Sequence, residues 1–255
     1  MKKEYILVID SGVGGLSVLA ELCNLFPANY MYYADNKHCP YGNHTSTEIT
    51  KFLMDIIDFC CLKYTIKLII LACNTATNTS IEQLRNRYPN ICFVGTEPAI
   101  RLANNLGFKH ILSLTTPATA EQIKYKALQN SLNIDIKTVP MTRFAANIER
   151  FLCHNTLSDG LRTKSDIYFI KNLSKNYDCL VLGCTHYALI KPFIQKFIDV
   201  PIIDGNIGIA RQALKNAHKL GIKQKNLTTV KFVLSSQFSD SKQIYKKILS
   251  QILAK

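Results

Sequence analysis

An α/β protein with mainly parallel sheets is what this 255-residue sequence predicts, and two observations predict it. Short runs rich in Ile, Val, Leu, Phe and Tyr alternate with longer stretches of helical periodicity, the pattern of βαβ units. The balance of 47% hydrophobic and 19% charged residues is that of a globular chain, and the length allows two α/β domains of ordinary size. The predicted strands are 5–9, 30–34, 68–72, 91–95, 110–115, 134–139, 179–183, 201–203 and 229–235. Between them, segments such as 46–62, with Ile49, Phe52, Leu53, Ile56 and Ile57 at helical spacing, supply the crossovers. No Pro/Gly/Ser-rich linker marks a domain boundary.

Composition excludes several classes. There is no low-complexity tract, no repeat and no apolar run near the length of a membrane span. The opening Met1-Lys2-Lys3 and the apolar run from Tyr5 to Ile9 have the outline of a signal peptide, but Asp10 and the glycines after it cut the run short, so it reads as a first strand. Nine cysteines without paired C-x-x-C spacing point to a reducing cytoplasm, and Cys60, Cys92 and Cys179, in apolar stretches, read as inert core. His38 beside Cys39 lacks a second cluster to complete a set of four ligands, so no metal is expected. The net charge of +13 lies in the second part of the chain: residues 1–100 carry 8 basic and 9 acidic side chains, leaving 23 and 9 for residues 101–255. Those basic residues are mostly lysines scattered singly, which reads as a solvated surface and not as a specific nucleic-acid interface.

The chemistry concentrates in two turns 111 positions apart, Ala72-Cys73-Asn74-Thr75 and Gly183-Cys184-Thr185-His186. Each sets a thiol between an apolar strand and a helix, at the sheet edge where backbone amides and hydroxyls gather around anions. Burial as filler is the commonest fate of a cysteine, but these two lie at strand-to-helix junctions and are followed at once by Asn74-Thr75 and Thr185-His186, which favours a catalytic reading. After the first strand, Asp10-Ser11-Gly12-Val13-Gly14-Gly15 forms a tight turn. It is not a dinucleotide fingerprint, which needs glycine where Ser17 stands, and it lacks the Gly-Lys-Ser/Thr ending of a phosphate loop. A carboxylate there suits an ammonium group or a thiol better than a phosphate. Pro40-Tyr41-Gly42 is a turn signal.

Taken together, Asp10-Ser-Gly-Val-Gly-Gly-Leu-Ser17, Tyr33-Ala-Asp35 leading to Pro40-Tyr-Gly42, Ala72-Cys-Asn-Thr-Ala76, Thr116-Pro-Ala-Thr119 and Leu182-Gly-Cys-Thr-His186 resemble the cofactor-independent glutamate racemases of the aspartate/glutamate racemase superfamily. The resemblance implies two similar α/β domains with mainly parallel sheets and an active site in the interdomain cleft. It implies that residues 1–95 plus 207–255 form one domain and 96–206 the other, inserted into it. Cys73 and Cys184 would be the acid/base pair and Asp10 and His186 their assistants. Asn74, Thr75, Thr119 and Thr185 would surround the α-carboxylate, and Ser11, Tyr41 and Gly42 would receive the side-chain carboxylate. A homodimer supplying D-glutamate for peptidoglycan, with glutamate as its small-molecule partner, no cofactor and no membrane, is also implied.

The chain departs from the pattern at Ala34, where glycine is usual, at Asn36-Lys37-His38, where a small-residue-and-arginine run is usual, and at Ala188, where proline is common. Glu149 sits near a family acidic position with poorly matching flanks, leaving a functional acid and a solvated helix residue both open. Rival readings are an aspartate or other amino-acid racemase, a cysteine hydrolase, a non-catalytic small-acid binder and a basic nucleic-acid binder.

Overall fold

The structure is a computed structural model that describes residues 2–96, 99–154, 157–236 and 241–254. Its strands are β1 (Glu4–Asp10), β2 (Asn29–Ala34), β3 (Thr65–Leu71), β4 (Cys92–Gly95), β5 (His110–Thr115), β6 (Asp135–Pro140), β7 (Cys179–Leu182), β8 (Ile202–Ile203) and β9 (Thr229–Leu234), one in each predicted range. The chain divides into two compact units, Met1–Thr96 with Asn206–Lys255, and Glu97–Gly205.

The first unit holds a five-stranded sheet in the order β4-β3-β1-β2-β9, with every neighbouring pair parallel. Its central strand β1 is buried from Tyr5 to Asp10 because helices cover both faces of a parallel sheet, which is why it reads as an unbroken apolar run. The crossover helix Ser46–Lys63 buries Ile49, Leu53, Ile56, Ile57 and Cys60. A capping box starts it: the Thr45 hydroxyl accepts the Glu48 N–H, and the Glu48 carboxylate accepts the Thr45 N–H. The returning C-terminal segment adds helix Asn206–Lys219, strand β9 beside β2, and helix Ser241–Leu253.

The second unit repeats the same path with four parallel strands in the order β6-β5-β7-β8. In each unit the chain goes from the first strand to one neighbour, then crosses to the opposite side for the third strand. That reversal is the topological switch point, where the carboxyl ends of the first and third strands leave a crevice for ligands. It lies between β1 and β3 in one unit and between β5 and β7 in the other. The two match in detail. The Ala72 N–H extends the ladder onto the Ile9 carbonyl (2.8 Å), and the Gly183 N–H does the same onto the Leu114 carbonyl (2.7 Å), so Cys73 and Cys184 follow equivalent positions.

Cys60 and Cys179 are fully buried, as the apolar context predicts. Cys92, also expected in the core, is only half-buried, because it opens the sheet-edge strand β4. Among the described residues no helix is long and apolar enough to cross a membrane.

Candidate active site

In the first unit the strand ends bring together Asp10, the last residue of β1, with Ser11 after it, and Cys73, Asn74 and Thr75 after β3, all buried. Asp10 accepts the Gly12 N–H on Oδ1 (2.9 Å), and the Tyr32 hydroxyl donates to the Gly12 carbonyl (2.6 Å), which together tie down the glycine turn. Gly15 is required by space: a Cβ there would lie 2.7 Å from that of Asp10 and 2.9 Å from that of Ala72. Cys73 caps a 14-residue helix, Asn74–Arg87, so the thiol stands at the positive end of a helix dipole.

Tyr41 and Gly42 lie in a single 3₁₀ turn, Tyr41–Asn43, packed against the helix that follows Cys73. Tyr41 is fully buried, and its hydroxyl donates to Asp35 Oδ2 (2.8 Å). Burial, then the charge and hydrogen bond of Asp35, push its ionisation well above the usual tyrosine range, with smaller pushes from Cys73 and Asp10. Tyr41 therefore lies within electrostatic reach of both and stays a hydrogen-bond donor.

In the second unit Thr119, Cys184, Thr185 and His186 are buried around the equivalent switch point. The Thr116 hydroxyl caps the helix Pro117–Glu121, accepting the Thr119 N–H (3.3 Å) and donating to the Thr119 hydroxyl (3.0 Å). The helix after Cys184, Thr185–Leu189, is only five residues long, too short to offer the dipole that Asn74–Arg87 offers Cys73. What Cys184 has is a histidine. His186 Nδ1 lies 4.0 Å from Cys184 Sγ, and Nε2 lies 2.7 Å from Glu149 Oε2. A carboxylate only accepts, so Nε2 carries a proton, and Nδ1 faces the thiol as an acceptor for its proton or, once protonated, as a stabiliser of the thiolate. The Tyr187 hydroxyl donates to the Thr115 and Met141 carbonyls and holds the ends of β5 and β6 behind this row.

Glu149 is thus not a solvated helix residue: its side chain is 14% exposed and pairs with a histidine that is 3% exposed. Sequence reasoning also gave no role to Asp35, which anchors Tyr41. Its one signal was position at a strand end: it follows β2 directly, and in the structure it donates its N–H to the carbonyl of Asp10, the last residue of β1 (2.9 Å).

A family model described as Asp/Glu/Hydantoin racemase matches residues 6–222. The chain belongs to this racemase family. It is similar to the glutamate racemase of Clostridium botulinum (strain Alaska E43 / Type E3), with 37% identity over 235 residues covering 89% of this chain and 86% of that one. Among solved structures it resembles glutamate racemase isoform RacE1 from Bacillus anthracis, with a TM-score of 0.79 and 26% identity over 100% of this chain and 96% of that one. It also resembles the Escherichia coli glutamate racemase solved with L-glutamate and the activator UDP-MurNAc-Ala, with a TM-score of 0.78 and 25% identity over 99% and 94% of the two chains. Both sheets of this racemase-family member are parallel and flanked by helices, an α/β architecture.

Proposed function

We propose that this racemase-family member interconverts L- and D-glutamate by moving a proton at Cα between two thiols, Cys73 and Cys184, one from each unit. Racemisation takes the Cα hydrogen from one face and returns a proton to the other, so one group must be a base while its opposite is an acid. Two chemically equal groups serve both directions. The products are mirror images, so the equilibrium constant is one and no redox step is needed. The observation that carries this reading is the equivalence of the cysteines: each follows the third strand of the same parallel topology, one residue after the same ladder hydrogen bond.

In this reading Asp10 assists Cys73, and His186 assists Cys184. Asn74, Thr75, Thr119 and Thr185 receive the α-carboxylate, and Ser11, Tyr41 and Gly42 the side-chain carboxylate. The D-glutamate enters peptidoglycan synthesis in the cytoplasm, and the chain acts as a homodimer with no specific nucleic-acid partner. The test is racemisation of L- and D-glutamate without added cofactor. Folded Cys73→Ala and Cys184→Ala proteins should each lose it in both directions, and near wild-type turnover by either would overturn the proposal. Glutamate should exceed aspartate in kcat/KM by at least about tenfold, the worth of one methylene in a fitted site. Equal kcat/KM on the two acids would refute that choice.

A further inference from the structure

One side chain beside the Tyr41 turn has no part in the reading above. His38 ends the short 3₁₀ segment Asn36–His38 between Asp35 and the cis Cys39–Pro40 peptide. Its Nδ1 lies 3.0 Å from Asp35 Oδ1 and 2.9 Å from Oδ2, while the Tyr41 hydroxyl donates to Oδ2 of the same buried carboxylate. Both carboxylate oxygens are acceptors, so Nδ1 carries a proton and donates it. The His38 ring lies flat on Phe52, with centroids 3.8 Å apart and planes 5° apart, and His44 meets both rings edge-on. Phe52 belongs to the helix Ser46–Lys63 that begins just after the turn. His38 therefore links the strand end before Tyr41-Gly42 to the helix after it.

We propose that His38 is a positioning residue for the Tyr41–Gly42 turn, its Nδ1–H holding the Asp35 carboxylate in the orientation that receives the Tyr41 hydroxyl. This rests on the reading that the turn receives the substrate's side-chain carboxylate. A buried carboxylate is costly without hydrogen-bond partners, and donors on both of its oxygens fix its direction. Tyr41 provides one donor and His38 the second, from a side chain that is 27% exposed. With the imidazole donor removed, Asp35 is left with the phenol alone, and the turn loses the anchor that sets its distance from β2.

Two substitutions separate the donor from the ring. His38→Phe keeps the flat stack on Phe52 and removes the N–H; His38→Asn loses the stack but sets an amide N–H close to the place of Nδ1. With folding checked by circular dichroism, His38→Phe should raise KM for both glutamate enantiomers about three- to tenfold, the loss of one hydrogen bond, with kcat within about twofold. It should also speed amide exchange across residues 41–44. His38→Asn should return KM to within about twofold of wild type and restore the slow exchange. Unchanged KM and exchange in His38→Phe would overturn the proposal, as would His38→Asn behaving like His38→Phe, which would assign the effect to ring packing. If the wild-type chain does not racemise glutamate, the functional reading fails, and the exchange comparison alone decides whether His38 holds the turn.

Discussion

Replacing Gly183 with alanine tests how closely the position of Cys184 depends on the β5–β7 contact. A Cβ at Gly183 would lie 2.8 Å from the Leu114 carbonyl oxygen and 2.9 Å from Thr115 Cγ2, against about 3.4 Å or more for an ordinary contact. The obstructing oxygen is backbone and already accepts the Gly183 N–H at 2.7 Å, so relief means moving the end of β7 by roughly half an ångström. Such overpacking costs about 1–3 kcal/mol of stability. Cys184 is the next residue, and a displacement of that size in an acid/base group should lower kcat roughly ten- to a hundredfold. The equivalent residue in the first unit, Ala72, already carries its Cβ; Ala72→Gly should cost only about 0.5–1 kcal/mol. Urea unfolding followed by circular dichroism, with glutamate racemisation measured on the same preparations, checks both numbers. A Gly183→Ala protein with wild-type midpoint and wild-type kcat would refute the claim that this contact sets the thiol.

Glu149→Gln removes the carboxylate charge that faces His186 Nε2 and should reduce kcat about ten- to a hundredfold, by steady-state kinetics in both directions; unchanged kcat would reduce Glu149 to a structural role. Cys60→Ala should cost about 1–2 kcal/mol in denaturant unfolding while leaving racemisation intact, the reverse of Cys73→Ala. Burial pushes the thiols of Cys23 and Cys60 up to about 12 and that of Cys179 up to about 11, from an ordinary value of 9.0. The folded state then holds protons that the unfolded chain releases, so the stability these groups contribute is complete below pH 9.0 and is lost as pH rises toward 11–12; unfolding midpoints that stay flat from pH 9 to 11 would contradict this.

Much of this architecture was legible because of how parallel sheets bury their strands. A strand such as β1 or β7, covered on both faces, carries a continuous apolar run, Tyr5 to Ile9 in β1 and all of Cys179–Leu182 in β7, and such runs stand out between helical periods. The position of the thiol turns was legible for a related reason, since the same apolar runs locate the strand-to-helix junctions at which Cys73 and Cys184 stand. What failed to show depends on partners distant in the chain or on dimensions that composition does not encode. Glu149 meets His186 across 37 positions, and a lone acid on a helix looks the same whether it points to water or to an imidazole. Cys92 looked like core because its neighbours are apolar, but edge position leaves it half-covered. The helix after Cys184 stops after five residues while that after Cys73 runs for 14, so two turns that read alike give their thiols different support, a dipole in one case and a histidine–carboxylate pair in the other. The Asp35 clamp is local, yet its hydrogen bonds depend on side-chain directions that a Pro-Tyr-Gly turn signal does not contain.

The two-thiol claim is tested most directly by the deuterium content of both glutamate enantiomers at early conversion in heavy water. A thiol holds one proton, so the base that removes the Cα hydrogen and the acid that supplies its replacement are different groups, and the acid carries solvent deuterium. Starting from L-glutamate, the D-glutamate formed should carry deuterium at Cα while the remaining L-glutamate keeps its hydrogen, and the mirror result should hold from D-glutamate. Product that retains the original hydrogen, or label appearing equally in both enantiomers from the first turnovers, would mean that one group serves both faces and would contradict the assignment of Cys73 and Cys184 as opposed partners.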